Sequence, residues 1–429
     1  MILRSTETSP YQAVSLNALP LCALRRHEQR PIINNRSVSE TRDDPEPSIN
    51  CNFPDREVMH HQINLRSLFS PIFQTSDEIK WIREYIPHRS NVWSQQINGQ
   101  KVKSAVYTYC APVIILREAV ICQGRYPLDR IGNLWIGGVS YFQRGIELNG
   151  IVGEVAVNKE SLAILTREAR TTSVTSYKNA ILIGGRDNFG HFLFELLPKI
   201  FLANMYLDHS WLFLLSSALP ARFLEFVRLL GVADDRIKIF EEGSTFKVEM
   251  LVLPGVSAHR HPTKSVPCID TLNFVGMINF LKGAAGLNLA KNFDNLNLYV
   301  PRNQERWRRI INEQHLINEL GNEKRLEVID PKELSAKDQI LLFGSVSSVV
   351  MPLGGASLSV MFCSTRTRII EISTPIISGV WSRTFCGLFD LDYYRIDGHY
   401  SDDGINKGAL PIDKDFTVDP SEILRIFRR

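Results

Sequence analysis

Residues 180–206 read AILIGGRDNFGHFLFELLPKIFLANMY, and this stretch decides the fold. Ala180–Ile183 is a short, wholly apolar run, the pattern of a strand buried on both faces, and it breaks at Gly184-Gly185. From His191 to Tyr206 the apolar residues recur at helical spacing. The same order returns downstream, with Trp211–Leu215 as strand and Ala221–Leu230 as helix. Ile237–Phe240 and Phe246–Leu253 read as further strands, and Ile269–Leu281 as a helix. Strand and helix alternating at this pitch predict an α/β fold, a parallel sheet with crossover helices.

Gly283–Lys291 (GAAGLNLAK) reads as a hinge, after which the alternation restarts. Leu296–Val300 is a strand, Ile310–Leu320 a helix and Leu326–Ile329 a strand. Ser335 is placed to cap a helix whose Asp338 sits at the third position, and Ala336, Ile340 and Phe343 would share its buried face. Val346–Met351 is a strand, followed by a Gly-rich turn, a short helix and the strand Arg368–Ile372. Upstream of residue 180 the pattern differs. Arg25–Pro54 is polar and buries too little to offset its ordering entropy. Leu65–Ile86 carries Trp81, Ile82, Tyr85 and Ile86 at helical spacing. Ala105–Tyr109, Val113–Leu116, Ala119–Cys122 and Asn133–Ile136 are strand-like runs between turn residues. The division expected is a poorly ordered tail over residues 1–55, an N-terminal α/β domain with a strand-rich start over 56–285, and a C-terminal Rossmann-like domain over 286–429.

Composition excludes several classes of function. Among 429 residues, 49 Lys and Arg stand against 46 Asp and Glu, a net charge of +3 and no basis for a nucleic-acid partner. With 44% hydrophobic and 22% charged residues the chain is of ordinary globular type. The seven cysteines are scattered without a C-x-x-C pair, which suggests neither a zinc cage nor a disulfide framework and fits reduced thiols in a cytoplasm. No apolar run approaches the ~20 residues of a bilayer span, so no transmembrane segment is expected. Peripheral membrane association stays open.

Ligands of open parallel sheets bind beyond the carboxyl ends of the strands, and four such places carry suggestive residues. In Gly184–His191, His191 falls in a helix's first turn with Glu195 one turn on. The positive end of a helix dipole favours the neutral imidazole that a general base needs. The alternative is a histidine bonded to a local carbonyl beside a solvated glutamate. Gly354, Gly355, Ala356 and Ser357 follow the strand Val346–Met351. Their backbone amides either cradle an anion or form a tight packing turn. Arg302 leaves the end of the strand at Leu296–Val300, where its planar fork suits a diphosphate, whereas Arg306, Arg308 and Arg309 read as a solvated face. Glu371, late in Arg368–Ile372, either accepts ribose hydroxyls or is an edge-of-sheet carboxylate without a ligand. Asp390-Leu391-Asp392 has a D-x-D form without a supporting strand, and His259 with His261 lacks a third ligand, so no metal is expected.

The region from about Tyr177 to Asp419 resembles glycosyltransferase family 61, whose bacterial members are often labelled capsular polysaccharide biosynthesis proteins. The resemblance rests on Asn188–Leu193 with Glu195 and Leu197-Pro198, Arg302, Arg309-Ile310 with Asn312-Glu313, and Val328–Pro331. It continues through Leu334-Ser335, Gln339-Ile340, Leu342-Phe343, Ile369–Glu371 and Asp415–Asp419. It implies a GT-B-like fold, two Rossmann-like domains facing a cleft, and inverting sugar transfer without metal or other cofactor. The partners implied are a nucleotide-diphosphate-sugar donor and a glycan hydroxyl as acceptor. His191 and Glu195 would be the catalytic pair, Arg302 and Gly354–Ser357 would face the donor diphosphate, and Glu371 the ribose. One departure stands out. Relatives usually show His-Gly-Ala-Gly where this chain has Gly354-Gly355-Ala356-Ser357. That change motivates a rival reading, a non-catalytic relative that binds a nucleotide or glycan. A glycoside hydrolase ranks below both, because no motif pairs two carboxylates.

Overall fold

The computed structural model describes residues 79–83, 87–109, 111, 113–122, 124, 126–128, 175–255, 257–260, 267–287, 296–302, 307–323, 325–374, 376, 380–400 and 414–428. The tail over residues 1–55 and the run Asn133–Ile136 lie outside them.

The strands up to residue 260 are β1 (Ile79–Arg83), β2 (Pro87–Ile97), β3 (Gln100–Tyr109), β4 (Val113–Cys122), β5 (Tyr126–Leu128), β6 (Ser176–Gly184), β7 (Leu212–Ser216), β8 (Ile237–Phe240), β9 (Phe246–Pro254) and β10 (Ala258–Arg260). Those that follow are β11 (Pro267–Ile269), β12 (Asn297–Tyr299), β13 (Leu326–Val328), β14 (Ser348–Pro352), β15 (Arg368–Ser373) and β16 (Asp392–Asp397). A first sheet runs β1-β4-β9-β6-β7-β8, with β5 on β4; its β9-β6-β7-β8 portion is parallel. A second runs β10-β11-β3-β2-β16-β15-β14-β12-β13 and is parallel from β2 to β13. The α/β class is therefore as the alternation predicts. Membership of the second sheet draws on both sides of Gly283–Lys291, because the β2–β3 hairpin and β10–β11 extend the sheet built by residues 297–397.

Two upstream readings change. Residues 79–83 form a strand, not a helical turn: β1 pairs antiparallel with β4, Ile79 opposite Leu116 and Trp81 opposite Ile114. Of the four apolar residues that suggested a helix only Trp81 and Ile82 fall in this strand, too few to set a period, and pairing with the edge of β4 decides its form. The runs at 113–116 and 119–122 are one strand, passing through Glu118 in left-handed backbone.

The helices follow local chemistry. Helix α1 has three contiguous pieces, Phe189–His191, a wide π-turn Phe192–Leu196, and Leu197–Tyr206. Asn188 caps it, its Oδ1 accepting from the His191 amide at 3.1 Å. Pro198 has no N–H to return to Phe194, and the wide turn falls just ahead of it, with the Leu197 amide reaching back to the Phe192 carbonyl. Helix α2 is Phe223–Leu229, and α3, Thr271–Ala285, starts on Asp270 and ends on Gly286 at φ 81. Helix α4 is Glu313–Glu323 and α5 is Ala336–Ser345. Ser335 caps α5 as expected, accepting from the Asp338 amide at 3.1 Å and donating to its carboxylate at 2.6 Å. Ala336, Ile340 and Phe343 are buried together. A 3₁₀ segment, Gly355–Phe362, precedes α6 (Val380–Leu388) and α7 (Pro420–Phe427).

Both faces of the second sheet are covered, which is why β14 is buried at every residue. Val350, Ile370 and Ile372 pack with Leu316, Leu320 and Ile423 of α4 and α7. Val349, Met351 and Ile369 belong instead to a core shared with Phe192, Ile200, Phe226, Phe274, Phe362 and Phe385. One apolar body thus runs from the helices of the first sheet to those of the second.

Candidate functional site

Three loops converge at the carboxyl ends of β6, β12 and β14. The first follows β6. Gly185 takes φ 138, and a Cβ there would stand 2.9 Å from Leu219 Cδ1, so the turn into α1 requires glycine on both counts. Asn188 then starts the helix, and His191 donates or accepts through Nδ1 at 2.8 Å from Glu195 Oε1. Glu195 is 4% exposed, whereas the His191 side chain keeps 25% of its surface. A buried carboxylate accepts, so it fixes the proton on Nδ1 and leaves Nε2 as the basic nitrogen. Phe194 packs on the imidazole with ring centres 4.7 Å apart, and Trp381 of α6 stacks on Phe194 at 4.8 Å.

The second loop is Gly354–Ser357. Gly190 of α1 lies directly on it: a Cβ at residue 190 would be 3.3 Å from Gly355 Cα, and one at 355 would be 3.3 Å from the Gly190 nitrogen. No side chain separates the start of the histidine-bearing helix from the Gly-rich turn. Ser357 is buried, and its hydroxyl donates to the Gly354 carbonyl at 2.7 Å, so it shapes the turn. Ala356 packs against the shared core.

The third loop leaves β12 with Arg302. Its amide donates to Glu313 Oε1 at 2.8 Å, and its Nε to the Trp307 carbonyl at 3.2 Å. Glu313 also accepts from Tyr299 at 3.0 Å, and burial with that carboxylate alongside pushes the Tyr299 phenol well above its ordinary range. So held, the Arg302 guanidinium lies where a side chain at residue 354 would begin, since a Cβ on Gly354 would overlap Nη1. Gly354 has φ −178, ordinary extended backbone, so its lack of a side chain matters for space alone.

His191, Glu195, Arg302, Gly354 and Gly355 therefore meet through Gly190–Gly355 and Arg302–Gly354. Glu371 does not join them directly. It is fully buried on β15, where Tyr393 donates to Oε1 at 3.0 Å and Ser382 to Oε2. Burial pushes its carboxyl up to about 7, against those two hydrogen bonds and the charges of Arg395 and Arg383. Through Ser382 it anchors α6 at the residue that follows Trp381 in that helix. Asp390 and Asp392 are exposed on a turn and the start of β16, and Asp392 accepts from Tyr394 at 3.1 Å. His259 lies on β10, with His261 outside the described residues. Among the described residues no three His, Cys, Asp or Glu side chains gather as metal ligands, and no helix is long and apolar enough to cross a membrane.

Sequence reasoning gave no role to two residues of this site. Glu313 appeared only in the Asn312-Glu313 match, and its hydrogen bonds to Arg302 and Tyr299 require the folded loop. Trp381 had no local signal at all. Residues 189–370 match the family model Glycosyltransferase 61. The match begins at the first helical residue of α1, takes in His191, Arg302 and the Gly-rich turn, and stops one residue short of Glu371. No curated protein matches the chain.

Proposed function

We propose, from the membership of residues 189–370 in the glycosyltransferase 61 family, that this protein is an inverting glycosyltransferase. It would move a sugar from a nucleotide-diphosphate-sugar donor to a glycan hydroxyl in polysaccharide biosynthesis, in the cytoplasm. The observation that carries this reading is the double contact of Gly190 on Gly355 and Arg302 on Gly354. It brings a tautomer-fixed histidine and a guanidinium with its neighbouring backbone amides to one place. The two sheets then serve as the halves of a GT-B-like fold.

In the proposed reaction the acceptor hydroxyl oxygen attacks the anomeric carbon from the face opposite the diphosphate. The carbon–oxygen bond to phosphate breaks, and the nucleoside diphosphate leaves with that electron pair. His191 Nε2 takes the hydroxyl proton, with Glu195 as the positioning residue that holds the ring. Arg302 and the amides of the Gly-rich turn meet the charge that develops on the leaving diphosphate. A guanidinium over Gly354 puts positive charge at the position where relatives carry histidine, so the changed turn keeps an anion-binding role. Because that charge comes from the chain itself, transfer is expected without a metal.

The test is a thermal-shift screen against UDP, GDP, CMP, ADP and their sugars, with and without EDTA, followed by transfer assays with the nucleotide that binds. A ligand held only by the folded state raises the midpoint by mass action. An EDTA-insensitive shift followed by His191-dependent transfer supports the reading. Binding with no transfer across a broad acceptor panel overturns it in favour of a non-catalytic nucleotide-binding relative.

A further inference from the structure

The segment that follows Arg302 contains a residue whose conformation and burial the packing does not explain. Arg308 holds left-handed backbone at φ 59, a region in which side-chain-bearing residues are uncommon and which concentrates at functional sites. Its Nε is buried with no hydrogen-bond partner. The arginines around it are engaged: Arg309 grips Asp415 through Nε at 2.9 Å and Nη2 at 2.7 Å, and Arg302 Nε donates to the Trp307 carbonyl. That carbonyl belongs to the same peptide unit as the Arg308 nitrogen. The backbone of Arg308 is therefore carried against the Arg302 guanidinium, which itself covers Gly354. A buried guanidinium N–H without an acceptor is costly, and such groups in native proteins call for a missing partner. Beside an arginine already aimed at a Gly-rich turn, the missing acceptor has the chemistry of a phosphate oxygen.

We propose that Arg308 is a second cation of the donor site, whose Nε–H donates to a phosphate oxygen of the nucleotide diphosphate alongside Arg302. The strained backbone at residue 308 presents that group, and the unmet N–H is the half of the bond that the protein supplies. This inference rests on the donor-site reading given above.

Two substitutions separate a ligand role from a structural one. Arg308→Gly and Arg308→Asn both remove the cation, and both residues accept left-handed backbone. Binding of inorganic pyrophosphate, UDP and GDP to the full chain is measured by titration calorimetry, with melting temperature as the folding control and Arg302→Ala in parallel. The expected result is pyrophosphate and nucleoside diphosphate affinity about ten- to hundredfold weaker in both variants. Melting should be unchanged or raised for Arg308→Gly. Affinities equal to the parent chain in both variants, with Arg302→Ala defective, overturn the role of Arg308 while leaving the donor site in place. If the parent chain binds none of the three ligands, the donor-site reading falls and this inference with it.

Discussion

Replacing Glu371 by glutamine tests how the second sheet tolerates a carboxyl group in its interior. The side chain is fully buried, its oxygens accept from Tyr393 and Ser382, and burial raises it from 4.5 to about 7. An unfolded chain gives up this proton near pH 4.5, whereas the folded chain keeps it to about pH 7. Between those values the native state binds more protons, so native stability falls as pH rises through the window. Below it the residue is neutral in both states and carries no penalty. Above it the penalty is complete, and at ~1.4 kcal/mol per pH unit the gap is worth about 3 kcal/mol. Glutamine has the same shape, cannot ionise, and keeps an oxygen for one hydroxyl and an N–H for the other. Glu371→Gln is therefore expected to be more stable than the parent chain by up to about 3 kcal/mol at pH 8 and to match it near pH 4.5. Urea unfolding of both chains followed by tryptophan fluorescence at pH 4.5, 6, 7 and 8 gives the difference directly. A difference that does not change with pH refutes the reasoning. Lower stability of the glutamine variant at pH 8 would mean that the ionised carboxylate is the better partner for Ser382 and Tyr393.

Gly354→Ala should leave melting within about 0.5 kcal/mol of the parent, because the atom its Cβ displaces is the end of a flexible arginine. Nucleoside diphosphate affinity should still fall at least tenfold, as read by titration. His191→Ala should lower kcat by about 10²- to 10⁴-fold with donor KM little changed, and Glu195→Gln should lower it by less, since an oxygen at that position still accepts from Nδ1. Initial rates with the donor named by the nucleotide screen check both. Asn188→Ala removes the cap of α1 and should cost about 1 kcal/mol by urea unfolding, with a further loss of activity because His191 is the residue whose amide the cap holds.

What the sequence made legible was local. The β6–glycine–α1 unit, the Ser335 cap and the buried face of α5 each depend on residues within one or two turns, and each forms where spacing places it. Pairing between distant segments was not legible. Nothing in Pro87–Tyr109 says that this hairpin lies beside β16, since its alternation suits any partner strand. The site divides the same way. His191 and Glu195 could be paired on the page by helical spacing, but Arg302 and Gly354 meet only because β12 and β14 are neighbours in the sheet. Glu371 shows the limit most clearly. A glutamate late in a strand suggested a ribose ligand or an edge-of-sheet carboxylate, whereas β15 is central and Glu371 is fully buried. The hydroxyls of Ser382 and Tyr393 that make its burial tolerable come from α6 and β16.

The positions of the glycines bear on how the site works. Two aromatic pairs, Phe194 with Trp381 and Phe226 with Phe362, each join a helix of the first sheet to a segment of the second. Prising the sheets apart would expose all of these rings, at a cost of about 1.5–3 kcal/mol for each side chain returned to water. Gly190 and Gly355 touch within that packed frame, backbone against backbone, with no side chain whose rotamers could take up slack. The distance from the imidazole of His191 to the turn that Arg302 covers is consequently set by the core. In the proposed reaction, a base and an anion-binding group fixed in this way would lose little freedom when substrates arrive, so the geometry for transfer would be in place beforehand.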